Sequence, residues 1–281
     1  MIELNASTLK KALSESLPKR LEKASKWDFG HILLVGGDKG FGGAVRMAGE
    51  SALRTGAGMV SIITRAAHRG GILAGCPELM VHAVLSKRQE DWEGLLARAN
   101  TLMVGPGLGR KAWGKAWWSA LKETNLPMVV DADALNALSE APFKRAAHLP
   151  AWILTPHVRE AARLLKWTFD DVESNREKAV KELAALYGGV VILKGYHTLV
   201  HMDGGDIFYC ALGNPGMATA GMGDILSGVL GGLLAQALPP MEAAKIGVTL
   251  HAQAGDLAAK AGIRGLCAMD LVPFIRKGIN A

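Results

Sequence analysis

The stretch GNPGMATAGMGDILSGVLGG, residues 213–232, has a single acid, Asp224, at the start of a long apolar helical pattern. Gly221 and Gly223 precede the acid and remove side-chain bulk from the chain there. Free backbone N–H groups at a helix start bind anions, and a carboxylate among such donors is positioned to take a proton from a group that approaches the anion. The pattern therefore indicates phosphoryl chemistry with Asp224 as the base. The alternative is a glycine-rich turn in which Asp224 only caps the helix.

Other glycine and polar residues follow the apolar runs of the sequence. The segments are GGDKGFGGA after the first run, GPGLG after the fourth, DADALN after the fifth, TPHVREA after the sixth and KGYHT after the seventh. The carboxyl ends of parallel strands meet at one edge of a sheet, where ligands bind. We therefore expect these segments to open on the same edge of the sheet.

Two of these segments carry side chains suited to phosphate and metal. Lys194 of KGYHT stands at a strand end, where its ammonium group is able to meet phosphate and Gly195 clears space; an ordinary turn lysine is the alternative. His157 and Glu160 of TPHVREA are three residues apart and share one face of a starting helix. Glu160 either caps that helix or orients magnesium through water.

The remaining segments offer backbone groups more than side chains. Gly42, Gly43 and Ala44 begin a helix and leave N–H groups open to a ligand, or they only allow a close helix contact. GPGLG combines a proline-fixed bend with glycines, which lets the backbone approach a flat or anionic group. The polar residues of DADALN stand at a strand end, where capping the next helix is their ordinary role.

Apolar runs rich in Val, Ile and Leu alternate with helical patterns along the chain. The predicted strands are 31–35, 59–64, 79–83, 101–104, 128–131, 152–154 and 190–193. The predicted helices are 43–55, 112–123, 158–165, 175–187, 218–237, 241–261 and 269–277. Continuous apolar strands between helices indicate a mainly parallel sheet covered on both faces. A turn at 203–205 predicts a hairpin that adds antiparallel strands at one edge.

These elements predict an α/β fold in three layers, α/β/α, built as one domain over residues 1–281. No internal repeat, linker or break in composition divides the chain. Residues 1–28 are predicted to form a helical extension, because apolar residues at helical spacing follow Ser7 and Thr8.

Composition excludes several classes of protein. The chain has 281 residues, of which 49% are hydrophobic and 21% charged, so a large core is expected and wholesale disorder is excluded. The net charge of +6 is spread along the chain and suits small anionic ligands, since no Lys/Arg block marks a nucleic-acid-binding arm. Three cysteines without CxxC spacing indicate reduced thiols and a cytoplasmic protein. No apolar run has the length of a membrane span, and the N-terminus lacks the apolar core of a signal peptide.

In their order along the chain, these motifs closely resemble the ADP/ATP-dependent NAD(P)H-hydrate dehydratase family of the ribokinase-like superfamily. The likeness is carried by GHILLVGGDKGFGGA, GAGMVSIIT, VGPGLG, VVDADALN, ILTPHVREAARLL, LKGYHT, GNPGMATAGMGDILSGVLGGLLAQ and GLCAMDL. It extends from about Phe29 to Leu271. The order of these strings makes the resemblance more specific than any one string does.

The resemblance implies roles for individual residues. Asp224 is implied to be the catalytic base and a substrate contact. The other residues implied to bind substrate are Ala44, Gly107 and His157. The residues implied to bind the adenine nucleotide are Lys194, Gly195, Tyr196, His197, Thr198 and Gly223. Glu160 is the candidate for an indirect magnesium contact.

The implied substrate is the S form of NADH or NADPH hydrated at C6 of the nicotinamide ring. Members of the family restore the cofactor at the expense of ADP or ATP with Mg²⁺, and many assemble as tetramers. An epimerase of the hydrate is the implied functional partner and is often fused at the N-terminus. Only residues 1–28 precede the motifs here, so we expect a stand-alone cytoplasmic dehydratase, without nucleic-acid or membrane partners.

Two departures from the family pattern lie in the loops. Asp38–Lys39 stands where many members carry Gly-Ser, and Met222 stands where Ser is usual. The alternative enzyme is a vitamin kinase of the same superfamily, of the hydroxymethylpyrimidine or hydroxyethylthiazole type. The pyrimidine kinases, however, carry Asn at the position of His157 and Cys at that of Asp224. A nucleotide-sensing module without turnover is the alternative outside the enzymes.

Overall fold

The computed structural model describes residues 1–83, 92–146 and 152–281. Its strands are β1 (Ile2–Leu4), β2 (His31–Val35), β3 (Met59–Thr64), β4 (Met80–Ala83), β5 (Thr101–Val104), β6 (Met128–Val130), β7 (Trp152–Leu154), β8 (Val190–Leu193), β9 (Thr198–Met202) and β10 (Phe208–Cys210). Its α-helices are α1 (Ala6–Ser16), α2 (Gly42–Thr55), α3 (Arg69–Gly75), α4 (Trp92–Arg98), α5 (Ala112–Leu121), α6 (Ala132–Glu140), α7 (Val158–Leu165), α8 (Phe169–Ser174), α9 (Arg176–Tyr187), α10 (Met222–Ala235), α11 (Pro240–Ala258) and α12 (Val272–Gly278). Within the ranges that the structure describes, no helix combines the length and the apolar run that crossing a bilayer requires.

The strands form one sheet in the order β1-β10-β9-β8-β7-β6-β5-β2-β3-β4. Strands β2 to β8 pair in parallel. Strand β9 runs antiparallel to both β8 and β10, and β1 lies parallel to β10 at the edge. The mainly parallel sheet with an antiparallel hairpin near one edge is therefore confirmed, and the hairpin turns at 203–205 as predicted.

The buried strands supply both hydrophobic cores, because successive residues of a strand point to opposite faces of the sheet. In β2, Ile32 and Leu34 join one core, and Leu33 and Val35 join the other. Helices α1, α2, α3, α10, α11 and α12 cover the first face, and α4 to α9 cover the second. The predicted three-layer α/β/α architecture is confirmed.

Helix α10 packs closely along α2 because a glycine faces that helix. A side chain at Gly228 would collide with the carbonyl oxygen of Ala48. The hydroxyl of Ser51 in α2 donates to the carbonyl oxygen of Ile225 in α10 at 3.1 Å. This contact positions the start of α10 at the carboxyl edge of the sheet, beside the loop that follows β2.

The N-terminal residues differ from the helical extension predicted over 1–28. Ile2–Leu4 form a strand of the sheet, and α1 begins after Asn5 instead of after Ser7 and Thr8. The Asn5 side chain accepts hydrogen bonds from the N–H groups of Ser7 and Thr8, both at 3.1 Å, and so caps the helix two residues earlier. A strand of three residues is too short for its alternation to be recognised in the sequence.

Two element boundaries near the carboxyl edge also differ from the prediction. The helix predicted over 218–237 begins only at Met222, because Pro215–Met217 form a 3₁₀ turn capped by the Asn214 side chain. Strand β6 ends one residue early, since Asp131 already stands in the N-cap position of α6. Both shifts lengthen the loops at this edge.

Candidate active site

The loops after β2 and β5 meet at the carboxyl edge and hold two residues predicted to bind substrate. Backbone hydrogen bonds join the loops, from Gly37 N to Pro106 O at 3.0 Å and from Asp38 N to Gly107 O at 2.6 Å. A methyl group at Gly107 would lie 3.3 Å from the Ala44 side chain. Gly107 also has a left-handed φ of 57°, so glycine there serves both the turn and the close approach. The two predicted substrate residues, from separate loops, are therefore neighbours.

Asp38, one of the departures from the family pattern, anchors the first loop. Its Oδ1 accepts a hydrogen bond from Arg65 Nε at 2.8 Å, and its carbonyl oxygen lies 3.0 Å from His68 Nε2. Burial disfavours the charged carboxylate, but Arg65 and neighbouring donors outweigh burial and lower the pKa of Asp38. Lys39 beside it is exposed. The ion pair between Asp38 and Arg65 therefore stiffens the loop after β2 in this chain.

An ion pair lies where β6 and β8 end. Lys194 Nζ donates to Asp131 Oδ1 at 2.9 Å. The Thr155 hydroxyl donates to the same oxygen at 2.6 Å, and the Ser227 hydroxyl donates to Oδ2 at 2.8 Å. Asp131 is only 2% exposed. One buried carboxylate therefore joins the ends of β6, β7 and β8 to helix α10.

Both partners of this pair keep their charge. Burial opposes the ionised form of Asp131, but Lys194 and the two hydroxyls outweigh burial, so the pKa of Asp131 is lowered. Burial likewise opposes the ammonium form of Lys194, but the charges of Asp131 and Glu160 outweigh it, so the pKa of Lys194 is raised. Glu160 Oε2 lies 4.0 Å from the ammonium nitrogen. Lys194 is consequently a fixed cation at the carboxyl edge.

His157 and Glu160 form a capping box at the start of α7. His157 Nδ1 accepts from the N–H groups of Arg159 and Glu160 at 3.0 and 3.3 Å, and Glu160 Oε2 accepts from His157 N at 2.8 Å. Burial and the nearby Lys194 lower the pKa of His157 to about 4, so its ring is neutral. Burial raises the pKa of Glu160 to about 7 against the attraction of Lys194. Glu160 therefore takes the capping role that the sequence offered as one alternative.

The start of α10 carries Asp224 beside the Lys194 cation. Gly221 has a left-handed φ of 90° and turns the chain into the helix. A methyl group at Gly223 would lie 3.4 Å from Lys194 Nζ, so this glycine leaves the backbone open next to the cation. Within the described ranges, no donor hydrogen-bonds to the Asp224 carboxylate.

The environment of Asp224 gives its carboxylate the properties of a base. Burial, with a smaller contribution from the charge of Asp131, raises its pKa to about 7 against the attraction of Lys194. A carboxylate with this pKa is substantially ionised at neutral pH and still holds a proton well. The arrangement is therefore suited to proton abstraction next to bound phosphate.

The residues predicted to bind nucleotide are consecutive around the end of β8. Gly195 has a φ of 139°, and a methyl group there would lie 3.0 Å from the Arg176 guanidinium group. The Tyr196 side chain is 84% exposed, and its ring stacks on that of His197 with centroids 4.1 Å apart. Thr198 begins β9. An exposed aromatic pair thus follows directly after the Lys194 cation.

The predicted site residues lie in two groups along the carboxyl edge. The first consists of Lys194 to Thr198, Gly223 and Asp224, together with His157, which pairs with Lys194 in an isolated parallel bridge. The second consists of Ala44 and Gly107. Met47, three residues after Ala44 in α2, approaches the loop that leads to Asp224, since a methyl group at Gly221 would lie 2.6 Å from its sulfur.

Several residues of the site escape prediction from the sequence. Thr155 and Ser227 contact Asp131 from distant parts of the chain. In the sequence, Thr155 is marked only as a hydroxyl residue that follows an apolar run, and Ser227 only as a hydroxyl residue three positions after Asp224. Asp133 Oδ2 accepts from Gly109 N at 2.8 Å, so DADALN supports the GPGLG loop as well as starting a helix.

The carboxylates at this edge fit an ion that arrives with a nucleotide. Among the described residues there is no group of three or more His, Cys, Asp or Glu side chains that could hold a metal. Mg²⁺ commonly keeps several waters and binds one or two carboxylates together with substrate phosphates. Asp224 has oxygens free for such a role, whereas one oxygen of Glu160 is already bonded to His157 N.

A mainly parallel sheet between two helical layers, with a glycine loop that opens an apolar helix on its carboxyl edge, defines a ribokinase-like α/β protein. A hydroxyethylthiazole kinase from Pyrococcus horikoshii matches with a TM-score of 0.59 at 11% identity, covering 98% of this chain and 91% of that one. At this identity the likeness concerns the fold alone, so the vitamin-kinase alternative is distant. The family model described as NAD(P)H-hydrate dehydratase matches residues 32–277. The chain belongs to the NAD(P)H-hydrate dehydratase family, and the resemblance seen in the sequence is confirmed.

Individual relatives agree with this assignment. An ADP/ATP-dependent NAD(P)H-hydrate dehydratase from Bacillus subtilis, co-crystallized with ATP/Mg²⁺, matches with a TM-score of 0.85 at 25% identity, covering 98% of this chain and 97% of that one. The bifunctional NAD(P)H-hydrate repair enzyme of Coxiella burnetii is 47% identical over 94% of this chain and 53% of its own length. The ADP-dependent (S)-NAD(P)H-hydrate dehydratase of Neisseria meningitidis is 40% identical over 92% of this chain and 87% of its own length. The chain spans about half the length of the bifunctional relatives that it matches.

Proposed function

We propose that this chain removes water from hydrated NADH and NADPH, with ADP or ATP as phosphoryl donor. The observation that carries the proposal is the Asp224 carboxylate, which no donor among the described residues hydrogen-bonds and whose pKa is raised to about 7 beside the fixed Lys194 cation. Membership of the family supports the hydrate as substrate. The ADP-dependent relative from Neisseria supports the S form and the choice of donor.

The physical difficulty of the reaction lies in the leaving group. Water has a pKa of about 15.7, so hydroxide leaves carbon poorly. Phosphate has a second pKa of about 6 and leaves readily. Transfer of a phosphoryl group to the C6 hydroxyl of the hydrate therefore converts a poor leaving group into a good one.

In the first step, the C6 hydroxyl oxygen attacks the terminal phosphorus of the nucleotide while Asp224 takes its proton. The bond from that phosphorus to the bridging oxygen breaks, so ADP leaves as AMP and ATP leaves as ADP. The Lys194 ammonium group and the backbone around Gly223 face the charge that develops on the transferred group. Mg²⁺, when bound, neutralises phosphate charge.

In the second step, the lone pair of the ring nitrogen expels phosphate by breaking the C6–O bond. A proton then leaves C5, and the C5–C6 double bond of the dihydronicotinamide forms. The sum converts the hydrate and ADP into NADH or NADPH, AMP and phosphate. No oxidant or reductant is required.

The remaining site residues divide between the two ligands. Ala44, Gly107 and His157 are assigned to the substrate, and Gly107 packs directly against Phe41 and Ala44. Segment 195–198 and Gly223 are assigned to the nucleotide, next to Lys194. Glu160 caps α7 through Oε2, and its other carboxylate oxygen is assigned an indirect role toward Mg²⁺ through water.

The wider context of the proposal follows the family. The continuous sheet, with β1 at its edge, supports one domain over residues 1–281. The three free cysteines, Cys76, Cys210 and Cys267, support a reducing, cytoplasmic environment. We also propose that the chain assembles as a homotetramer. We propose an epimerase of the hydrate as its functional partner, and the bifunctional relatives support the pairing of the two activities.

The test is to mix purified protein, hydrated NADH, Mg²⁺ and either ADP or ATP, and to follow the absorbance of restored NADH. We expect absorbance to rise only with nucleotide, with one phosphate released per NADH. A stable phosphorylated product without NADH would instead identify a kinase. Nucleotide binding without turnover of the hydrate would identify a binding module.

A further inference from the structure

Helix α11 presents three residues to the loop that leads into α10. His251 and Gly255 are four residues apart and share one face of the helix, and Asp256 follows Gly255 directly. Asp256 contacts the beginning of the loop and Gly255 its middle, and the His251 ring lies beside its end. The mechanism proposed above uses none of them.

Asp256 holds the beginning of the loop with both carboxylate oxygens. Its Oδ2 accepts from Gly213 N at 3.0 Å, and its Oδ1 accepts from Asn214 Nδ2 at 3.0 Å. The other end of the Asn214 amide is also used, since Asn214 Oδ1 accepts from Gly216 N at 3.0 Å. Asp256 and Asn214 therefore form one chain of hydrogen bonds that orders the turn.

The middle of the loop is held by contact with the same helix. A methyl group at Gly255 would collide with the Met217 sulfur, so glycine there lets the loop lie directly on α11. Gly213 and Gly221, with φ of 105° and 90°, allow the chain to reverse at either side of this contact. The loop therefore packs directly against α11 between the turns at Gly213 and Gly221.

The buried ring of His251 lies at the end of the loop, beside the backbone of Met222. Burial lowers the pKa of His251 to about 4, so the ring is neutral, and its Nε2 atom is buried without a partner among the described residues. The contacts that fix the loop on α11 are therefore those at its beginning and middle.

We propose that α11 is the template of the loop that leads into α10, with Asp256 as the positioning residue that sets the loop's backbone N–H groups and Asp224 for a phosphate. The inference rests on the proposed function for the identity of the phosphate, which is that of ADP or ATP. Asp256 does not touch the ligand. Its effect is transmitted through Gly213 and Asn214.

The test exploits the chemistry of the Asp256–Asn214 pair. In D256N, the new amide group meets the Asn214 amide, and in N214D, two carboxylates face each other. The double variant N214D/D256N exchanges the two groups and restores every bond. The amide then at position 256 donates to the carboxylate at position 214 and accepts from Gly213 N. The second oxygen of that carboxylate accepts from Gly216 N.

The measurement is the Kd of ADP by titration calorimetry with Mg²⁺ and without hydrate, together with KM and kcat for both ligands. We expect D256N and N214D each to weaken ADP about tenfold or more, because hydrogen bonds to a charged group are the strong ones. The double variant is expected to return to within about threefold of the wild type, the scatter that context imposes on such values. The matched control is D203N in the exposed β9–β10 turn, which we expect to leave Kd and KM unchanged.

Thermal unfolding of every variant separates an effect on ADP binding from loss of the fold. A role confined to stability would lower Tm while leaving Kd, KM and kcat of the folded protein at wild-type values.

Unchanged ADP binding in D256N, or a double variant that folds and still binds poorly, would overturn the inference. ADP binding that responds as expected without any turnover of hydrate would contradict only the proposed function. A wild-type protein that binds neither ADP nor ATP would overturn both.

Discussion

The starts of α6 and α10 each carry one aspartate, and the two regions treat that aspartate in opposite ways. Asp131 at the start of α6 accepts hydrogen bonds from Lys194, Thr155 and Ser227. Asp224 at the start of α10 accepts none within the described ranges. The pKa of Asp131 is lowered, whereas burial raises that of Asp224 to about 7.

The comparison shows that hydrogen-bond donors decide the function of a buried carboxylate more than burial itself does. Burial acts in the same direction on both carboxylates, and only the donors of Asp131 reverse its effect. Asp131 therefore holds other groups in position. Asp224 keeps its oxygens for a ligand.

The largest effect is expected from Asp224→Asn, which removes the base. We expect kcat to fall about 10²- to 10⁴-fold, equivalent to about 3 to 5 kcal/mol, with ADP binding retained. Steady-state kinetics with hydrated NADH and calorimetry with ADP measure the two quantities. The exposed Asp170→Asn is the control, and full activity in D224N would remove Asp224 from the mechanism.

Asp131→Asn tests the acid that accepts hydrogen bonds, because this change leaves Lys194 without the carboxylate to which it donates. Breaking a buried ion pair costs about 3 to 5 kcal/mol of unfolding free energy, which denaturant unfolding measures. Loss of the Asp131 charge also lowers the pKa of Asp224. We expect kcat/KM of the wild type to rise with pH near 7, and we expect this rise to move to lower pH in D131N. An unmoved pH profile would contradict the proposed coupling of the two acids.

Ser227→Ala removes one of the three donors to Asp131 and leaves the ion pair. A hydrogen bond to a charged group contributes about 1.5 to 3 kcal/mol, so denaturant unfolding is expected to show a loss of that size with kcat little changed. Thr249→Val is the matched control, since the single partner of the Thr249 hydroxyl among the described residues is the Lys245 carbonyl oxygen of its own helix. Equal losses in both variants would argue against a special role for Ser227.

The last prediction concerns stability and pH, and its effect is the smallest when expressed per pH unit. The pKa of Asp224 is about 7 in the folded protein and has an ordinary value of 3.8, so between these values the folded state holds a proton that the unfolded state has released. Stability contributed by this group therefore falls as pH rises from 3.8 to 7, by at most about 1.4 kcal/mol per pH unit. We expect D224N to gain unfolding free energy relative to wild type between pH 4 and pH 8. A constant difference across this range would show that the pKa is not raised.

Most of the fold could be predicted from local patterns. The apolar runs of β2, β3 and β5 and the turn at 203–205 have clear signals. Strand β1 could not be predicted, because three residues carry too little alternation and its partner β10 lies about two hundred positions away in the chain. The cap at Asn5 and the late start of α10 depend on hydrogen bonds that ordinary propensities do not distinguish.

The sequence by itself determined the layered α/β fold and the glycine-rich carboxyl edge, and it supplied the prediction of Asp224 as base, because these depend on residue types and their short-range spacing. Only the tertiary structure decided that Asp131 accepts hydrogen bonds from three side chains, whereas Asp224 accepts none among the described residues. It also placed Asp256 of α11 beneath the loop that leads to Asp224. The physical reason is that the pKa and the role of a buried charge depend on donors brought from distant segments, and chain folding alone brings those donors together.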